Sequence, residues 1–304
     1  MAEQPERDGE LRRFILERHP VRGFWIRLDG AWRELLRHQH YEPDVRGLFG
    51  EAVAATVLLA ATLKFHGTLT LQLTGDGPLS LLVAQCTHDF SIRAVARAAR
   101  RGAGALSFNE LVGKARLSVT IQADERAARY QGIVALEGMN LAHCIENYFA
   151  TSEQLPTRIA LIADERRAAG VLLQKLPSSD TSDESPGAIS QDAWADLQSR
   201  LVTLEPRLLR VGSAERVLQQ LCGEHDCRLF RANPVHFACR CDISRVANVL
   251  RSLGMQELRG ILAEQGAVSV TCEFCGRPYR FDPIDVEQLR LRRTGQTGDG
   301  AYRQ

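Results

Sequence analysis

Net charge is almost absent from this chain: 38 lysines and arginines against 37 aspartates and glutamates leave a formal +1. So even a balance gives no electrostatic ground for a nucleic-acid partner or an anionic membrane. Lysine itself is scarce, occurring only at positions 64, 114 and 175, a skew we attribute to genome composition before function. Long apolar runs are also lacking. The longest, Ala52 to Leu63, is too short to cross a hydrocarbon layer of about 30 Å, and the charged stretch Met1 to Arg13 has no apolar core of a secretory signal. A cytoplasmic protein with no membrane partner is therefore expected. Nor is there a nucleophile elbow, an H-E-x-x-H pair or a dinucleotide-binding glycine fingerprint, so no catalytic residue is assigned and no enzyme is expected. The Gly75-Asp76-Gly77-Pro78 stretch is followed by neither Lys-Ser nor Lys-Thr, which removes a phosphate cradle and leaves a hairpin turn.

The hydrophobic content, 44%, is enough for a buried core. From Pro43 the apolar residues Val45, Leu48, Phe49, Ala52, Val53 and Val57 recur at spacings of three and four, which predicts a buried helix with proline in its first turn. Strands are predicted at 21–28, 67–73, 79–86, 92–98, 115–121, 130–136, 158–162 and 170–176, with helices near 32–37, 108–112 and 140–152. Many strands joined by tight turns indicate an α+β fold, a largely antiparallel sheet packed with helices over residues 1–176.

The polar, acidic stretch from Pro177 to Gly187 is the sharpest break in composition and reads as a linker or exposed loop. Beyond it Trp194, Leu197, Leu201, Leu204 and Leu208 form an apolar stripe interrupted at Pro206, and Val217, Leu218 and Leu221 mark a second short helix. The stripe is either packed on a core or packed only conditionally, exposing an adhesive face when a neighbour unfolds. We take 177–235 as a linker region with amphipathic helices, 236–292 as a small C-terminal domain and 293–304 as a flexible tail. Within the small domain, helices are expected at 243–253, 256–263 and 283–291, and strands at 268–271 and 279–281.

That domain holds two close cysteine pairs, Cys239-Arg240-Cys241 and Cys272-Glu273-Phe274-Cys275. A tetrahedral zinc ion takes four thiolates at about 2.3 Å, and two short chelating turns supply them with little loop-closure cost. In a reducing compartment a permanent disulfide framework is not expected. Three readings remain open on spacing alone: a structural zinc site, a redox switch that exchanges zinc for disulfides, and four free thiols. His236 stands close enough in sequence to replace a thiolate, but four cysteines already complete the shell. Cys222 and Cys227, at C-x4-C spacing, are candidates for metal competition or a disulfide, whereas Cys86 and Cys144 read as small buried hydrophobes. The basic run Arg93, Arg97, Arg100 and Arg101 has no interleaved aromatic platform and reads as a solvated face.

Taken together, Gly47-Leu48-Phe49-Gly50-Glu51-Ala52, the run to Thr62-Leu63-Lys64, Gly75-Asp76-Gly77-Pro78-Leu79, Tyr148-Phe149 through Ser152-Glu153-Gln154-Leu155-Pro156-Thr157 and the two cysteine pairs resemble, in content and order, the bacterial 33 kDa chaperonin family of zinc-containing, redox-regulated heat-shock holdases. The extra pair Cys222 and Cys227 and the long acidic, serine-rich segment depart from that pattern. The resemblance implies one zinc ion on Cys239, Cys241, Cys272 and Cys275 in the reduced form. It implies oxidation to disulfides Cys239–Cys241 and Cys272–Cys275 with zinc release, and ATP-independent binding of unfolding client proteins. It also implies a homodimer when oxidised. On this reading the C-terminal domain unfolds and the helices at 190–221 lose a packing partner, freeing their stripe. The competing expectation is a thiol–disulfide oxidoreductase acting through Cys272 and Cys275.

Overall fold

The structure is a computed structural model and describes residues 8–99, 104–123, 130–136, 138–177 and 191–291. The chain divides into two compact units, Met1–Ala238 and Cys239–Gln304. The first contains β1 (Gly9–Leu16), β2 (Val21–Leu28), α1 (Gly30–Leu36), α2 (Pro43–Thr62), β3 (Gly67–Gly75), β4 (Leu79–Thr87), β5 (Ser91–Ala98) and α3 (Phe108–Val112). It continues with β6 (Ala115–Ala123), β7 (Tyr130–Val134), α4 (Leu141–Thr151), β8 (Thr157–Ala163), β9 (Ala168–Lys175), α5 (Gln191–Val202), α6 (Pro206–Val211), α7 (Ala214–Cys222), β10 (Cys227–Pro234) and β11 (His236–Phe237). The second contains α8 (Ile243–Leu253), α9 (Met255–Gln265), β12 (Val268–Thr271), β13 (Pro278–Phe281) and α10 (Pro283–Leu291).

The α+β class is as expected, with two sheets in the first unit among the described residues. One runs β10-β1-β2-β9-β8 and is antiparallel throughout; the other runs β11-β5-β4-β3-β6-β7, with β11 alone joining in parallel. Helix α2 begins on Pro43, whose fixed φ suits the first helical position, and is buried nearly all round. Its side chains share one core with Ile26, Leu28 and Leu172 of the first sheet and Leu69, Leu71 and Leu82 of the second. As a whole α2 is long and apolar enough to span a membrane by length and composition, which the run Ala52 to Leu63 alone does not suggest; most of that length is buried inside the first unit.

Strand β9 is buried on both faces, which explains its apolar run from Ala168 to Leu173. Ala168 and Leu172 face α2, while Ala169, Val171 and Leu173 face the other way, onto a second core with Phe14, Trp25 and the helices α5–α7. In that core Leu197, Leu201, Leu204, Val217 and Leu221 are buried, and Trp194 and Leu208 pack at its margin. The predicted stripe is therefore real, and the partner that covers it is the first sheet. The described part of 177–235 packs with the first unit, through α5–α7 on the sheet face and β10 on its edge. The linker at 177–187 lies outside the described residues beyond Pro177, as do Arg100, Arg101 and the tail 293–304.

Three strands escape the sequence reading, the two-residue β11 and two longer ones. Strand β1 lies in what reads as a charged N-terminal stretch, and β10 in what reads as helical linker; they pair with each other, Leu16 opposite Cys227. Arg12 explains how charge fits there: its Nε donates to Phe230 O at 3.0 Å and its Nη1 meets Glu215 Oε1 at 2.6 Å.

Candidate metal centre

Each cysteine pair is set by local chain geometry. Strands β12 and β13 pair with Thr271 opposite Pro278, so the six residues between them must reverse the chain. Cys272 N donates to Arg277 O at 2.9 Å and Gly276 N donates to Cys272 O at 2.8 Å, closing the turn around Cys272 and Cys275. Gly276 has φ +68°, a conformation that glycine adopts without the Cβ penalty of other residues. Cys239 and Cys241 lie on irregular chain immediately before α8, whose N-cap Asp242 accepts from Arg245 N at 2.8 Å. The helix thus fixes where the first pair ends.

The four sulfurs of Cys239, Cys241, Cys272 and Cys275 all lie within 4.8 Å of one another. Cys239 Sγ is 3.7 Å from Cys272 Sγ, and Cys241 Sγ is 3.3 Å from Cys275 Sγ. A tetrahedron whose sulfurs stand about 2.3 Å from its centre has edges of about 3.8 Å, so this cluster is placed to hold a metal ion. All four side chains are half-buried, shielded yet within reach of small reagents. Burial raises the Cys239 and Cys275 thiols. Burial also raises Cys241, but Tyr279 and the other three cysteines outweigh it and bring that thiol down to about 7. The buried Tyr279 hydroxyl has no partner of full hydrogen-bond geometry, yet stands close enough to the Cys241 sulfur to favour a thiolate there. An outer-shell donor of this kind is what a metal-bound thiolate uses. Sequence reading treats Tyr279 only as a strand residue, because its position beside Cys241 arises when β13 folds back on β12.

The other candidates separate cleanly. His236 is not in the cluster: its Nε2 meets Ser91 Oγ at 2.9 Å in the first unit. Cys86 and Cys144 are buried in the α2 core, where burial raises both thiols. Cys222 and Cys227 lie together in the core beneath α5–α7. Arg93 donates to Gln85 Oε1 at 2.7 Å.

The model of the family described as Hsp33 protein matches residues 9–282. The chain belongs to the Hsp33 family. Among curated Hsp33 relatives, the 33 kDa chaperonin of Nitrosococcus oceani is 44% identical over 282 residues, covering 92% of this chain and 93% of its own. The 33 kDa chaperonin of Pseudomonas paraeruginosa is 42% identical over 297 residues, covering 97% and 98%. The crystal structure of the 33 kDa chaperonin of Thermotoga maritima matches with a TM-score of 0.79 at 21% identity, covering 92% of this chain and 97% of that one; at this identity the likeness speaks for the fold. Hsp33 membership supports a chaperone function for this chain, and the metal-ready cysteine cluster sits in its smaller unit.

Proposed function

We propose that this chain is an ATP-independent holdase, inactive when reduced with one zinc ion on Cys239, Cys241, Cys272 and Cys275, and activated when those thiolates are oxidised to two disulfides. The observation that carries the reading is the sulfur cluster itself, a four-thiolate donor set that suits zinc, built on two loops of a unit with a small core. That core centres on Leu250, Leu258, Val268, Phe281 and Val286. Zinc, when bound, supplies folding energy on the order of 10–16 kcal/mol, large against what so small a core provides.

Oxidation removes the ligands. One thiolate attacks hydrogen peroxide, the O–O bond breaks, and a sulfenic acid forms with release of hydroxide. A second thiolate then attacks that sulfur, and the S–O bond breaks to leave a disulfide and a second hydroxide, which takes up a proton as water. Two peroxides are reduced for two disulfides. We assign the pairs as Cys239–Cys241 and Cys272–Cys275. This is the pairing that the family resemblance implies, and it is compatible with the short loops of one and two residues between the partners. Contacts of 3.7 and 3.3 Å in the folded cluster run between the pairs, so non-reducing peptide mapping decides the connectivity.

Clients in this reading are unfolding proteins, held in the cytoplasm, and the oxidised form associates with a second copy of itself; neither nucleic acid nor membrane is a partner. Because the Trp194–Leu208 stripe is covered by the first sheet, its use as a client surface requires α5 and α6 to lift from Trp25 and Val171. The oxidoreductase alternative has less support, since Cys272 and Cys275 lie in a strand-to-strand turn and not at a helix N-terminus that would activate a thiolate. The test is light scattering from a thermally unfolding client, with reduced zinc-loaded protein or peroxide-treated protein added. Suppression by the oxidised sample alone is expected; suppression by neither overturns the holdase reading.

A further inference from the structure

We propose that Cys222 and Cys227 form a second redox site, a dithiol that closes to a disulfide and pins the end of α7 to the start of β10. Cys222 is the last residue of α7 and Cys227 the first of β10. The turn between them is well defined: Gly223 takes φ +57°, His225 N donates to Cys222 O at 3.0 Å, and Glu17 N donates to Asp226 O at 2.9 Å, tying the turn to the end of β1. Both side chains pack in the same apolar cluster with Leu221, Leu229 and Phe14.

Among the described residues, the cluster in the smaller unit is the one group of three or more cysteines, histidines or carboxylates within metal-holding reach, so Cys222 and Cys227 have no third ligand. A pair without a third donor is poorly suited to zinc and well suited to oxidation. Charges of both signs surround them: the Arg200 guanidinium favours a thiolate at Cys222, and the Glu17 carboxylate opposes one at Cys227. A Cβ placed on Gly223 would lie 2.5 Å from the Arg200 guanidinium carbon, and that guanidinium is held by Asp196 at 2.7 Å. His225 Nε2 shares Asp196 at 3.1 Å, and the His19 ring meets His225 edge-on with centroids 5.3 Å apart.

Exposure assigns the order of events. Cys222 is buried and Cys227 is partly open to solvent. The mutual influence of the two side chains pulls Cys227 down and pushes Cys222 up, in agreement with Cys227 as the thiolate that reacts first. Cys227 attacks hydrogen peroxide, its O–O bond breaks, and a sulfenic acid and one hydroxide result. Cys222 gives its proton to hydroxide and attacks the Cys227 sulfur, whose S–O bond breaks. The balance is two thiols and one peroxide to one disulfide and two waters, and a thiol reductant reverses it. Closure holds α7 against β10, and through β10 against β1, independently of the metal cluster.

The zinc-loaded full chain is treated with hydrogen peroxide, quenched with N-ethylmaleimide in denaturant and digested with trypsin. Cleavage after Arg216 and Arg228 leaves both cysteines in one peptide, residues 217–228. The expected product is that peptide lighter by two hydrogens, with loss of both alkylations until dithiothreitol is added. It should form several-fold faster in the native chain than in the urea-unfolded chain. Cys222→Ser should leave Cys227 at the sulfenic acid, captured by dimedone, whereas Cys227→Ser should leave Cys222 an unoxidised thiol. The proposal is overturned if the peptide remains doubly alkylated under peroxide that oxidises the metal cluster. Joining of either cysteine to Cys239, Cys241, Cys272 or Cys275 also overturns it, as does equal reaction in native and unfolded chains.

Discussion

Cys241 Sγ lies 3.3 Å from Cys275 Sγ, a contact that bridges the chain before α8 to the turn between β12 and β13. The two halves of the cluster thus meet sulfur to sulfur, and losing either loop should dismantle both. Cys272→Ser is expected to reduce zinc content well below one per chain under reducing conditions. It should also expose α8–α10 to rapid hydrogen exchange, with a loss of several kcal/mol from the 10–16 kcal/mol that a structural zinc site contributes. Zinc release quantified with a chromogenic chelator checks it; full zinc content in the variant would remove Cys272 from the ligand set.

Chelation should act on one unit only. All three tryptophans, Trp25, Trp32 and Trp194, belong to the first unit, and Trp25 and Trp32 are fully buried there. Stripping zinc from the reduced protein is expected to lower far-UV helical signal, as α8–α10 melt, while tryptophan fluorescence stays native. A red shift of the fluorescence in step with the lost ellipticity would mean that the first unit also depends on the metal.

The covered stripe can be opened by mutation. Leu197 is fully buried against the first sheet among Trp25, Val171 and Leu201. Leu197→Ala removes that packing at a cost of about 2–5 kcal/mol and should loosen α5 first. If the stripe binds clients, the reduced variant gains part of the aggregation suppression that the holdase reading expects of the oxidised parent, read by the same light scattering. A variant that is looser by hydrogen exchange but gains no suppression would place the client surface elsewhere.

How much of this was legible depended on how local each signal is. Pro43 and the three-and-four spacing after it announce α2, and the apolar run at 170–173 announces a strand, whose burial on both faces emerges only in the fold. The cysteine pairs are equally local. By contrast, β1 carries Glu10, Arg12 and Arg13, and its charged look hides an apolar face of Leu11 and a second of Phe14 and Leu16. Its partner β10 is more than two hundred residues away, ends in Pro234 and lies at a sheet edge where proline is tolerated. The covering of the Trp194–Leu208 stripe by the first sheet is a tertiary choice that an apolar periodicity cannot assign.

Glu51 gives the fold a pH dependence of its own. It rides on α2, where burial pushes its carboxyl from the ordinary 4.5 up to about 7. Between those values the folded chain keeps a proton that the unfolded chain releases, so stability falls as pH rises through this window and stays reduced above it. Glu51→Gln removes the cost of a buried charge and is expected to stabilise the first unit at pH 8 by on the order of 2–3 kcal/mol. The gain should shrink toward zero as pH falls to 4.5, where the parent carboxyl is neutral in the folded state. Urea titrations followed by tryptophan fluorescence across that range read the first unit alone. A gain of equal size at both ends would show that the amide packs better, not that a charge has been relieved.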